Sequence, residues 1–258
     1  MDIGEAAVWA QIAWFRLLAG SGFPRLELAG GLAVASGLHS NTENGAVLDP
    51  RSEAAPALRA WLTVHDLPAS VLLTAVADAQ TVAHLNRLGL EPENGGNEMG
   101  ADLSTLRLPV GDPPDIRITE VTEGRDLADA FGIFDDADWF TNGELPRRIA
   151  AAQRIGYGPG SPVRHWVARA GKDPVGAATS FTCRAPHEPV VTLAHCCVAQ
   201  PYRRRGIGTA LTRARIAAAH HDGVQWVVLS PSPDGYQLHR TFGFATVPTP
   251  HDRWFYLR

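Results

Sequence analysis

The chain has 258 residues, long for one compact α/β unit and comfortable for two cores of about 100–150 residues each. A hydrophobic fraction of 45%, a charged fraction of 19% and a mean hydropathy of -0.09 describe a folded chain without a large membrane portion. The formal net charge of -4, the pI near 6.2 and a single lysine, Lys172, exclude the broad basic surface that drives nucleic-acid binding, so no nucleic-acid partner is expected.

The first half reads as an α/β rhythm. The apolar stretch Ala6 to Leu18 holds Gln11 and Arg16, follows Asp2 and Glu5, and is too short to span a bilayer. It predicts an amphipathic helix over about 5–18, neither a leader nor an anchor, and no membrane partner. Extended runs follow near 25–36 and 45–48, then a helix over 53–65, a strand over 71–77 and a helix over 78–88 closed by Gly89. Asn41-Thr42-Glu43-Asn44-Gly45 and Asn94-Gly95-Gly96-Asn97 read as turns. Leu106 to Pro114 combines three prolines and a glycine with no hydrophobic period, which places a linker there and a domain boundary near 112.

The second half opens on a strand at 116–119 and helices at about 124–135 and 143–154, with a Gly/Pro-rich loop at 156–160. Three antiparallel strands follow over 165–170, 175–183 and 190–198, turning at Gly171-Lys172-Asp173 and at Pro186-His187-Glu188-Pro189. Beyond the arginine-rich run at 203–205 come a helix over 208–221, a strand over 225–229, a helix over 234–241 ended by Gly243, and a closing strand near 254–257. The strand-helix-glycine unit around 71–90 echoes the one around 227–244. A duplication would produce that echo, and so would chance. The three cysteines, Cys183, Cys196 and Cys197, lie in apolar strand-like runs and include an adjacent pair, which suits neither a disulfide framework nor a zinc site. They point to a reducing cytoplasm and to no metal.

The chemistry concentrates in Arg203-Arg204-Arg205-Gly206-Ile207-Gly208-Thr209, between a strand and a helix. A glycine turn there aims several backbone N–H groups and the positive end of a helix at one concavity, and arginines add charge-assisted bonds to phosphate. Arginine-rich glycine turns also occur as plain solvated loops. The dinucleotide fingerprint fails on spacing, and a Walker loop fails because no Gly-Lys-Ser/Thr follows.

The stretch 198–211, through the arginine and glycine run, resembles the acetyl-CoA motif of the GNAT superfamily of N-acetyltransferases. Leu238-His239-Arg240-Thr241-Phe242-Gly243-Phe244 resembles that family's final helix and Gly-Phe closure, so the likeness covers about 113–258. It implies a mixed-sheet α/β fold in which 113–258 is a GNAT-like domain binding acetyl-CoA. Residues 1–112 would then form a smaller α/β domain, read either as a degenerate GNAT-like copy or as unrelated, without a CoA site. By the same resemblance, the main chain of Cys196, Cys197 and Val198 would hold the pantetheine arm. The amides and side chains from Arg203 to Thr209 would hold the pyrophosphate, and Ser232 would touch the cofactor further along.

The family's usual proton donor is a tyrosine four residues before the Gly-Phe pair. Here His239 stands at that place, with Tyr236 one helical turn earlier. Either can serve as the acid. His195 stands just before the strand residues that would meet the cofactor, where a base could reach the amine directly or through water; by strict strand alternation it lies on the face opposite Thr192, Ala194 and Cys196, which reads best as a packed core histidine. Asp135, Asp136 and Asp138 can attract a cationic amine or simply solvate a helix end. Trp139, Phe140 and Trp166 can line a pocket or fill a core. The reading is an acyl-CoA-dependent N-acyltransferase acting on a small-molecule amine. The rival is a CoA-binding sensory protein that has lost its acid.

Overall fold

The computed structural model describes residues 2–92, 98–109, 111–141, 143–185, 188–247 and 253–257. The chain divides into two compact units, one of Met1–Ala10 with Asn97–Val247, the other of Gln11–Gly96 with Pro248–Arg258. Helix α1 (Ile3–Gly20) supplies residues to both.

The larger unit holds β6 (Met99–Asp102), β7 (Ile116–Glu120), α4 (Gly124–Asp136), α5 (Leu145–Ile155), β8 (Val163–Ala170), β9 (Asp173–Arg184), β10 (Pro189–Val198), α6 (Ile207–His221), β11 (Trp226–Leu229), α7 (Pro233–Phe242) and β12 (Ala245–Thr246). Its seven-stranded sheet runs β12-β6-β11-β10-β9-β8-β7. Among the described residues only β10 and β11 are parallel in it, and α6 is the crossover between them. The sheet is covered on both faces. One face buries Leu127, Ala130, Phe131 and Phe134 of α4 against Val167, Ala177 and Cys197. These α4 positions recur at spacings of three and four, the stripe an amphipathic helix needs. The other face buries Ile207 and Leu211 of α6 against Trp166, Ala168, Val175 and Ala178. Gly176 makes that approach possible, because a Cβ there would stand 3.1 Å from the Cys197 carbonyl oxygen and 3.2 Å from Ile207.

The smaller unit holds β1 (Arg25–Leu28), β2 (Gly31–Ala35), β3 (Asn44–Leu48), α2 (Ala55–His65), β4 (Ala69–Leu73), α3 (Ala79–Arg87), β5 (Leu90–Pro92) and β13 (Trp254–Leu257). Its six-stranded sheet runs β1-β2-β3-β4-β13-β5. Again one pair, β3 and β4, is parallel, and again the crossover is a helix, α2. Leu58 and Leu62 of α2 pack on Val71, Leu73 and Phe255.

Each sheet therefore repeats one plan: an antiparallel meander, a parallel crossover, a helix, and a last strand inserted antiparallel to both neighbours. The inserted strand is β6 between β11 and β12, and β13 between β4 and β5. This corrects two expectations. The closing strand at 254–257 belongs to the smaller unit, not to the unit of α6 and α7. The division expected near 112 does not coincide with the compact units, because 99–112 is tied to the larger one. Leu103 N–H donates to the Gln225 carbonyl at 2.8 Å and Arg107 N–H to the Phe242 carbonyl at 2.9 Å. Arg213 of α6 donates to the carbonyls of Pro109 and Gly111 and pairs with Asp112. Proline removed backbone donors from this stretch, but its carbonyls remained available to arginine. Strand β4 also begins and ends earlier than the 71–77 expected, leaving Val76 exposed. The turn expected at 94–97 and the Pro186-His187 part of the later hairpin lie outside the described residues.

Candidate functional site

Strand β10 pairs with β11 at only three positions, Val190↔Trp226 to Thr192↔Val228, and with β9 all the way to Val198↔Gly176. From Leu193 onward, its edge on the β11 side has no strand partner among the described residues. Which residues present their main chain there follows from alternation. Ala199 N–H donates to the Val175 carbonyl at 2.9 Å, so the groups of Cys197 face β9, and those of Cys196 and Val198 face the open edge. The Val198 carbonyl already accepts from Arg203 Nε at 3.1 Å. Of the three residues expected to offer main chain, Cys196 and the Val198 N–H do so.

The strand runs into a single turn at 200–202 and then into the arginine and glycine loop. Arg204 (φ 62) and Gly206 (φ 82) both take the left-handed conformation, which turns the chain into α6. Gly206 is the N-cap, and no side chain caps this helix. Ala210 N–H bonds to the Gly206 carbonyl, so the N–H groups of Ile207, Gly208 and Thr209 are left without intrahelical carbonyls at the positive end of the helix dipole. Around them, the Arg205 guanidinium lies over the Tyr202 ring at 5.1 Å, and Arg203, Arg204 and Arg205 are all exposed. Amides so exposed at a helix start, with cationic side chains around them, can cradle an anion.

Helix α7 starts on Ser232, whose Oγ accepts from Gly235 N–H at 3.1 Å, and ends on Gly243 in the left-handed conformation. Ser232 is thus a helix cap, with its side chain exposed. His239 is 8% exposed, its ring set edge-on to Phe244, and its Nδ1 has no hydrogen-bond partner. Burial, and then the nearby Arg215 charge, push its pKa down to about 4, so the ring is neutral at neutral pH. The Tyr236 hydroxyl shares a 3.0 Å hydrogen bond with Thr246 Oγ1 on β12, two strands removed from β11 in the sheet order.

Residues 133–244 match the model of the Acetyltransferase (GNAT) family. This stretch is a GNAT acetyltransferase domain. The whole chain shares its fold with a GCN5-related N-acetyltransferase from Kribbella flavida, at TM-score 0.69 and 18% identity, over 99% of this chain and 95% of that one. A tandem GNAT protein from the clavulanic acid biosynthesis pathway gives a TM-score of 0.58 and 15% identity over 99% and 94%. A functionally unknown conserved protein from Staphylococcus epidermidis gives 0.58 and 12% over 91% and 92%. No curated protein matches the chain in sequence.

On the opposite face of the GNAT domain, a bulge interrupts β10. Its register with β9 shifts between Ala194 and Cys196, and His195 takes φ 23. The strict alternation expected from sequence fails there. Leu193 packs on the α6 side, yet the His195 ring lies 5.5 Å from Phe134 and 5.0 Å from Trp139, on the α4 side with Cys197. Phe140 joins this group, 5.9 Å from Phe131 and 6.2 Å from Phe134. Trp166 does not. It packs with α6 on the other face. Beneath the aromatics, His165 is 3% exposed, shares a 2.8 Å hydrogen bond with Thr179 Oγ1, and leaves Nε2 without a partner. Burial, with a smaller contribution from His195, lowers its pKa to about 3.

Asp136 and Asp138 are exposed beside Trp139, itself 46% exposed. The three thiols are poor nucleophiles. Burial raises Cys183 to about 11 and Cys197 to about 12, and raises Cys196 as well. Among the described residues no group of His, Cys, Asp and Glu is placed to hold a metal ion, and no helix is long and apolar enough to cross a membrane. Alternation alone does not show that the His195 ring joins Phe134 and Trp139. A bulge leaves no mark in a hydrophobic pattern.

Proposed function

We propose that the chain is an acetyl-CoA-dependent N-acetyltransferase acting on an amino group of a small molecule. The observation that carries this reading is continuity: the unpaired edge of β10 leads within a few residues to the uncapped, arginine-flanked start of α6. The donors fit the cofactor. A pyrophosphate needs several convergent N–H groups and positive charge, and an amide-bearing arm needs a strand edge. Acetyl-CoA bound there supplies an activated acyl group.

The amides of Ile207, Gly208 and Thr209, with Arg203, Arg204 and Arg205 around them, hold the pyrophosphate. Gly206 keeps the turn open. Cys196 and Val198 orient the arm through their main chain, Cys197 supports the strand from the β9 side, and Ser232 caps the helix that borders the site. His195 takes the proton of the attacking amine, with Trp139 and Phe134 fixing its ring. His239 serves the departing sulfur as a neutral N–H donor, because a ring with a pKa of about 4 carries no imidazolium proton to give at neutral pH. Tyr236 is engaged with Thr246 and holds the helix to β12.

The test is a steady-state assay with acetyl-CoA, a thiol-reactive dye and a broad panel of small amines. Amine-dependent thiol release supports the reading. Tight acetyl-CoA binding with no release across the panel assigns the chain to CoA binding without catalysis.

A further inference from the structure

Arg215 of α6 is the largest fully buried side chain among the described residues, 1% exposed. Nε reaches the Leu211 carbonyl at 3.4 Å, and Nη1 donates to the carbonyls of Thr179 at 3.1 Å and Ala194 at 2.8 Å. Nη2 donates to Thr212 Oγ1 at 3.3 Å. None of these partners is a carboxylate. Burying a cation without a counter-charge is costly, and an apolar residue would fill the same space without that penalty. What the guanidinium adds is the set of carbonyls it gathers.

Those carbonyls mark one place. Ala194↔Thr179 is the last regular pair of β9 and β10 before the register shift, and His195 follows at φ 23. A non-glycine residue held at positive φ is strained and persists only when its surroundings fix it. One nitrogen, Nη1, bridges both strands at that position. Thr179, whose carbonyl Arg215 holds, also bonds the His165 ring through its hydroxyl.

We propose that Arg215 is a positioning residue: it clamps the bulge of β10 to β9 and thereby holds the His195 ring on the α4 side beside Trp139. The guanidinium touches neither amine nor acyl group and acts through the backbone at 194–196. Its effect on turnover rests on the acetyltransferase reading above; the clamp itself is readable without substrate.

The experiment compares Arg215→Met, Arg215→Lys and Thr212→Val in the full chain, by amide hydrogen exchange at 194–197, NMR of the His195 ring, acetyl-CoA titration and steady-state kinetics. In Arg215→Met the bulge amides should exchange at least about 10-fold faster and the His195 ring signals should shift. Turnover should fall roughly 10- to 100-fold, as for a displaced catalytic group, while acetyl-CoA affinity and amine KM stay within about 3-fold. Arg215→Lys, which keeps the charge and one donor group, should recover part of the loss, and Thr212→Val should show a smaller change of the same kind. Unchanged exchange and ring signals in a folded Arg215→Met overturn the proposal, as does acetyl-CoA affinity that falls in step with turnover. If Arg215→Met does not fold, Thr212→Val decides, and unchanged bulge exchange there overturns it. If the wild-type chain releases no thiol with any amine, the acetyltransferase reading fails while the exchange and ring signals still judge the clamp.

Discussion

The two sheets are built on one plan and differ at one pair of strands. In the larger unit the parallel pair β10 and β11 parts after three positions, and the helix between them starts with free amides. In the smaller unit β3 and β4 stay paired from Gly45↔Ser70 to Leu48↔Leu73, and Thr74 N–H closes onto the Leu48 carbonyl at 3.0 Å. The loop before α2 spends its donors on itself: Arg51 N–H on Asp49 Oδ1, Ala54 N–H on Ser52 Oγ, Ser52 N–H on the Asp49 carbonyl. It carries Asp49 and Glu53 beside a single arginine, Arg51, where the other loop carries three arginines. Topology is therefore not what opens a strand edge. Helix α2 also starts without a side-chain cap, so what sets the larger unit apart is a parted strand pair leading to its helix start, where β3 and β4 stay closed.

The closed pair can be broken at Gly45. A Cβ there would stand 1.9 Å from the Ser70 carbonyl oxygen, and φ is 150. Gly45→Val should destabilise the smaller unit by about 4 kcal/mol or abolish its folding, read by denaturant unfolding with exchange resolved by unit.

Acid separates the units next. His165 and His239, both in the larger unit, titrate at about 3 and about 4 instead of 6.5 because burial penalises the imidazolium. Above pH 6.5 both are neutral in either state. As pH falls through 6.5 the unfolded chain takes up protons that the fold refuses, so stability declines until the folded values are reached. The loss is on the order of 5 kcal/mol for His165 and 3 kcal/mol for His239. His165→Phe should flatten part of that slope, and an unchanged slope would show that His165 does not titrate low.

The parted pair is tested at its loop. Gly206→Val forces a β-branched residue to φ 82 and should cost acetyl-CoA roughly 100-fold or more in affinity with the fold intact, measured by calorimetry. His239→Ala should lower turnover about 10- to 100-fold with little change in acetyl-CoA affinity, and turnover in the wild type should show no inflection near 6.5 attributable to His239. Tyr236→Phe should be the mildest change, about 1 kcal/mol of stability from one lost hydrogen bond and full turnover. Should Tyr236→Phe abolish turnover while His239→Ala keeps it, the two roles are exchanged.

The legible parts of the fold were those written locally. Helix α7 announces its cap at Ser232, its proline start and its Gly243 stop, and the glycines at 206 and 208 announce the turn into α6. What sequence hid was non-local. Strand β6, Met-Gly-Ala-Asp, has no branched residue and only four positions, so nothing in it signals a strand; β11 and β12 make it one. Strand β13 was visible as a strand, but its partners β4 and β5 lie far upstream, and a hydrophobic run does not name its neighbour. The side to which His195 turns depends on a bulge held by Arg215 through the Ala194 carbonyl, a contact between residues twenty-one positions apart whose chemistry neither residue declares.

Hydrogen exchange of the full chain with and without acetyl-CoA tests the central contrast most directly. Binding should protect the amides around Cys196 and Val198 and those of Ile207, Gly208 and Thr209, and should leave 44–55 unchanged. Protection at 44–55, or none along β10 and the start of α6 at saturating acetyl-CoA, would contradict it.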